Sequence, residues 1–185
     1  MDKRTQIVNV ARDLFKTYGY KKVSMDEIAL EAGVTKRTIY SYFKDKDALF
    51  GYFIEEEREQ MKQIIERIEK KNLSFFDTVH ETLYTLLKYH NRSPLFKTLH
   101  KEARLLSMSP AQSYLKEMEK ETEAYIKRKL TEAMENQQIK TCNIDLCAFI
   151  ILKVYMAILI EWDKPLSEKE VTDNITAVLK TGLFN

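Results

Sequence analysis

Between Ser24 and Phe43 the chain starts a helix twice and stops it once. Ser24-Met25-Asp26-Glu27 has the pattern of a capping box. A serine side chain there accepts from the amide three residues on, while the glutamate reaches back to the serine amide. Gly33 follows after Ile28, Ala29 and Ala32, so this helix is short. Thr35 is then placed to cap a second short helix over 36–42. Ala29 and Ala32 are small where two crossing helices must approach, and Gly33 permits the turn. Ile28, Val34, Ile39 and Phe43 form an apolar seat, which turns Lys36, Arg37, Thr38, Tyr40 and Tyr42 outwards. A short helix, a tight turn and a second helix are the parts of a helix-turn-helix. Long basic and hydroxylic side chains on its outer face suit the DNA major groove, and helix N-termini favour phosphate. The competing reading of the same residues is an ordinary solvated face, with the tyrosines in the core and Ser24 acting as a cap alone.

Elsewhere the apolar residues recur at three and four, never in sustained alternation, so the expected fold is all-α. Only 4 Gly and 3 Pro interrupt the chain. A first helix is expected over 3–18, ended at Gly19, and a fourth from Lys46, capped by Asp45, to about Lys70. Residues 55–59, E-E-E-R-E, are expected to be its solvated face. Phe75, Val79, Leu83 and Leu87 mark the next helix. Ser93-Pro94 and Ser109-Pro110 open a short helix, 94–106, and a long one, about 110–137. Asp145 is a candidate cap for an apolar helix over 146–161. Ser167-Glu-Lys-Glu170 is a second capping box, opening a last helix ended by Gly182. That makes about nine helices.

The apolar run 147–160 is short for a membrane span and carries Lys153, so a core helix is expected and no membrane partner. The N-terminus shows no signal-peptide pattern. Cys142 and Cys147 match no metal-binding spacing, and His80, His90 and His100 show none either. A reduced, cytoplasmic protein without metal or cofactor follows. No nucleophile elbow, P-loop or dinucleotide fingerprint is present, so an enzyme is not expected. Charge is uneven: the first fifty residues hold ten basic and seven acidic side chains, against a net +2 for the chain. A basic excess on the helix-turn-helix is the direction DNA binding needs.

The block 23–50, V-S-M-D-E-I-A-L-E-A-G-V-T-K-R-T-I-Y-S-Y-F-K-D-K-D-A-L-F, resembles the signature of the tetracycline-repressor (TetR) family of bacterial transcription regulators. The residues that carry the resemblance are Ile28, Ala29, Ala32, Gly33, Val34, Thr38, Tyr40, Tyr42, Phe43, Lys46 and Leu49, with A-x-x-L-F-x-x-x-G-Y at 11–20. Arg37 departs from it, standing where the family often has glycine. The resemblance implies a DNA-binding domain, 1–46, and a helical effector-binding and dimerisation domain, 47–185. It implies a homodimeric repressor, placing two recognition helices in successive major grooves of a palindromic operator, with half-sites about 34–36 Å apart. Carried over by position, Thr35, Lys36, Arg37 and Thr38 face bases and nearby phosphates, and Ser24, Tyr40, Tyr42 and Lys46 hold the DNA backbone. The helices near 146–161 and 167–181 pair with their copies. An unknown small-molecule effector occupies a cavity whose candidate lining residues are Phe75, His80, Tyr84, Tyr125, Tyr155 and Trp162. The alternative is a helical ligand-binding or interaction module whose helix-turn-helix no longer binds DNA.

Overall fold

The computed structural model describes residues 2–92, 97, 110–162 and 164–183. Among them the fold is all-α. Eight α-helices run in the order α1 (Lys3–Tyr18), α2 (Met25–Glu31), α3 (Lys36–Tyr42), α4 (Lys46–Glu69), α5 (Phe75–Arg92), α6 (Pro110–Glu135), α7 (Ile144–Ile160) and α8 (Glu168–Val178). The short helix expected over 94–106 lies outside the described residues, Lys97 excepted. The last helix does not stop at Gly182; it widens into a π-helical turn over Leu179–Leu183.

Two compact units form. The first takes residues 1–58 and 93–116, the second 59–92 and 117–185. In the first unit, the α1 stripe Ile7, Val8, Ala11 and Phe15 is buried, together with Leu49, Phe50 and Phe53 of α4. The rings of Phe15 and Phe53 meet edge-on at 5.9 Å, and those of Tyr20 and Phe50 at 5.0 Å. Such T-shaped pairs add to the apolar area they bury. Asp45 caps α4, accepting from the Ala48 amide at 2.8 Å. Gly51 leaves room for Tyr114 of α6; a Cβ there would stand 2.7 Å from Tyr114 Cζ.

The E-E-E-R-E stretch is not wholly solvated. Glu57 is buried, because it stands four residues from both Phe53 and Met61 on the inner stripe of α4. Glu56 pairs with Arg12 of α1 at 2.6 Å.

In the second unit, Leu130 and Ala133 of α6, Ile139, Ala148 of α7 and Leu179 form a buried cluster. Asn143, not Asp145, caps α7, accepting from the Leu146 amide at 3.0 Å. Asp145 sits in the first turn and pairs with Lys127 at 2.8 Å. Ser167 caps α8 as expected, with Glu170 completing the box. Asn91 and Glu168 tie α5 to α8 at 3.0 Å.

Candidate nucleic-acid interface and internal cavity

The two short helices of the first unit form as their punctuation requires. Ser24 Oγ accepts from the Glu27 amide at 3.2 Å, and Glu27 Oε2 accepts from the Ser24 amide at 2.7 Å. Hydrogen bonds from the Ser24 hydroxyl and amide hold the Glu27 carboxyl below its ordinary range. Gly33 has φ +60°, a left-handed conformation that costs glycine little, and it ends α2. Thr35 Oγ1 then accepts from the Thr38 amide at 3.1 Å and starts α3. Ile39 is fully buried and Phe43 nearly so, fixing which side of α3 faces the protein.

With that side seated, Lys36 and Arg37 are exposed, Tyr40 is 49% exposed and Tyr42 41%. Thr35 is exposed and Thr38 half-buried, their hydroxyls 2.9 Å apart. Lys36 Nζ reaches Asp26 Oδ2 of α2 at 2.5 Å, and this bond, with the carboxylate's charge, raises the Lys36 pKa. Both partners remain in water, so this pair contributes little to stability. Seven of the eight residues expected at DNA thus lie on α3 or at the helix starts beside it, on accessible surface.

Lys46 differs. Its ammonium donates to the carbonyls of Tyr20 at 2.8 Å and Val23 at 2.7 Å, and lies 4.4 Å from the centre of the Tyr20 ring. It ties down the α1–α2 loop. Tyr20 is in turn held by donating to Asp47; burial first, then that bond, pushes its phenol pKa up.

The second unit holds a cavity of about 440 Å³. Its walls are mostly aliphatic and aromatic, with Ile65 of α4, Leu83 and Leu86 of α5, Ile126 of α6 and Ile151 of α7 among them. Of the six expected lining residues, Phe75, Tyr125 and Tyr155 are there. His80, Tyr84 and Trp162 are not. His80 Nε2 instead meets Asp173 of α8 at 2.7 Å. Tyr84 stacks under Lys88, and Trp162 is 42% exposed beyond α7 with Lys164 against its ring.

Charged residues also stand at the wall. Glu69 ends α4 and meets Lys129 of α6 at 2.7 Å, and Lys129 also meets Glu132 at 2.9 Å. Burial pulls the Lys129 pKa down, but its bonds to the two carboxylates outweigh that and leave it raised. The Tyr125 phenol is pushed up to about 12, mainly by burial and then by nearby Glu69. A sequence signal exists for both: Glu69 continues the stripe from Ile65, and Lys129 stands four residues after Tyr125. Among the described residues no group of three His, Cys, Asp or Glu side chains is arranged to hold a metal ion. None of the helices described is long and apolar enough to cross a membrane.

The family model described as bacterial regulatory proteins, tetR family, matches residues 7–53. The HTH-type transcriptional regulator YhgD of Bacillus subtilis is 30% identical over 186 residues, covering 99% of this chain and 97% of that protein. The fold is similar to that of FadR from Bacillus subtilis, solved with stearoyl-CoA. The TM-score is 0.80 at 22% identity, over 96% of this chain and 98% of that one. It is similar also to AibR, solved with isovaleryl coenzyme A and operator DNA. There the TM-score is 0.74 at 19% identity, over 96% of this chain and 97% of that one. At such identities the structural likeness speaks for the fold alone.

Proposed function

The chain belongs to the tetR family of bacterial regulatory proteins, and from that premise we propose a homodimeric, effector-released repressor of a palindromic operator. The observation that carries this reading is α3. Ile39 anchors one side in the core, and Lys36, Arg37, Tyr40 and Tyr42 stand in water on the rest. Such a helix can enter a major groove with its N-terminal residues at the base edges. Thr35, Lys36, Arg37 and Thr38 read bases and adjoining phosphates; Ser24, Tyr40 and Tyr42 grip the sugar-phosphate backbone, which sets register but not sequence. Lys46 supports this surface from below.

Residues 1–46 act as the DNA-binding domain, and 47–185 bind effector and dimerise. Dimerisation buries the outer face of α7, where Leu146 and Phe149 are half or more exposed, and Val178 at the end of α8. Large apolar residues left in water are what a partner covers. The effector is an acyl compound, an acyl-CoA or a close relative. Support comes from the aliphatic cavity, of a size suited to a small molecule, and from the acyl-CoA in two similarly folded regulators. Effector binding favours a dimer whose recognition helices are wrongly spaced, so DNA affinity falls. The protein acts in the cytoplasm.

An electrophoretic shift on the promoter beside its own gene, at fixed salt, tests this. A retarded complex that acyl-CoA dissolves is expected. Absence of sequence-selective binding in every ligand state would refute the regulator, and an acyl-insensitive complex would refute the effector class.

A further inference from the structure

Both cysteines of the chain meet at the corner where α6 gives way to α7. Cys142 directly precedes Asn143, the cap of α7, and Cys147 lies one turn inside. These are the two positions of a hydrophobic staple, which needs only apolar bulk. Here sulfur fills both. The two thiols are near neighbours. Cys142 Sγ also stands 3.9 Å from Sδ of Met134, near the end of α6. All three side chains pack on the cluster around Leu130, Ala133 and Ala148, and both cysteines are partly accessible.

We propose that Cys142, Cys147 and Met134 form a binding site for a soft monovalent metal cation, copper(I).

The donor set carries this first. Two thiols and a thioether pack on one cluster, and thiolate and thioether sulfur select copper(I) over harder divalent ions. Spacing carries it second. Three sulfurs at about 2.3 Å from a common cation stand about 4 Å apart in a trigonal plane. The thiol and thioether are already at that separation. Binding replaces two S–H protons by one cation: two thiols and a thioether take up Cu⁺, two protons leave, and a bis-thiolate complex of charge −1 remains. The metal's oxidation state does not change. Cys147 lies in the first turn of α7, where free amides and the helix dipole favour negative sulfur. Burial, then the neighbouring thiol, pushes the Cys142 pKa up to about 11. Because two protons leave on binding, affinity rises with pH. Spacing along the chain does not show the site, because the third donor is a methionine on another helix. Ile126 and Ile151 touch both this cluster and the cavity, so the two sites share packing.

The full chain, reduced and held without oxygen, is titrated with copper(I) in competition with a chromogenic copper(I) chelator. One equivalent per chain is expected to leave the chelator. C142S and C147S should each weaken retention by at least about 100-fold, and M134L, which keeps the packing volume, by about tenfold. C147V preserves the staple's bulk, so loss of copper in C147V with an unchanged melting curve separates ligation from folding. No transfer from the chelator would overturn the site, as would equal transfer to wild type and both serine variants. Conversion of the cysteines to an intramolecular disulfide with no copper retained would overturn it in favour of a redox pair.

Discussion

Replacing Lys46 by methionine separates a role at DNA from a structural tie. The substitution keeps the aliphatic stem and removes the ammonium. Two bonds disappear, to the Tyr20 and Val23 carbonyls, together with the interaction with the Tyr20 ring. A hydrogen bond from a charged donor is worth about 1.5–3 kcal/mol net when intact. Lys46 is only half-buried and the freed carbonyls regain water, which puts the pair near the low end, about 2–3 kcal/mol in all. For a chain of this length that lowers the melting midpoint by roughly 4–12 °C. Circular dichroism melts measure the loss, and DNA affinity against salt measures the alternative. A lysine bound to phosphate contributes about 0.9 to the slope of log affinity against log salt. The slope should not change in Lys46→Met at temperatures where it is folded. An unchanged midpoint with a shallower slope would refute the structural role and return Lys46 to the DNA.

Arg37→Ala should show the opposite pattern. Its midpoint should not move, because the side chain is exposed, and its binding should weaken with a slope shallower by about one for each phosphate the guanidinium neutralises. Ser24→Ala removes the α2 cap and lowers stability at neutral pH. Glu27 has a folded-state pKa below its unfolded one, so its capping contribution is present above the unfolded value, about 4.3, and fades as pH falls through the folded one. The gap between wild type and Ser24→Ala in melts should therefore narrow with acidification; a gap independent of pH would count against the box. Ile151→Trp puts bulk into the cavity wall. DNA binding without effector should survive while release by acyl-CoA weakens at least tenfold in concentration; full release would place the effector elsewhere.

Much of the N-terminal architecture is legible along the chain because its determinants are local. A capping box, a left-handed glycine and a threonine cap act over three or four residues, and each operates where Ser24, Gly33 and Thr35 stand. Which side of α3 turns inwards is equally legible, since Ile39 and Phe43 repeat at helical spacing. The cap of α7 falls two residues before the expected Asp145. Asn143 and Asp145 are both competent, and the choice rests on where α6 ends and how Lys127 draws off Asp145.

Sequence by itself determined most of the described helices, the caps at Ser24, Thr35, Asp45 and Ser167 and the inward side of α3, because those follow from backbone hydrogen bonding and periodicity within one segment. Tertiary structure alone decided the partners. It turned the Lys46 ammonium inwards, buried Glu57, drew His80 to Asp173 and set Lys129 between two carboxylates at the cavity wall. Whether a charge ends in water, on a carbonyl or beside another charge depends on which helix arrives opposite it. That is a matter of packing between segments distant along the chain, and no spacing within one segment encodes it.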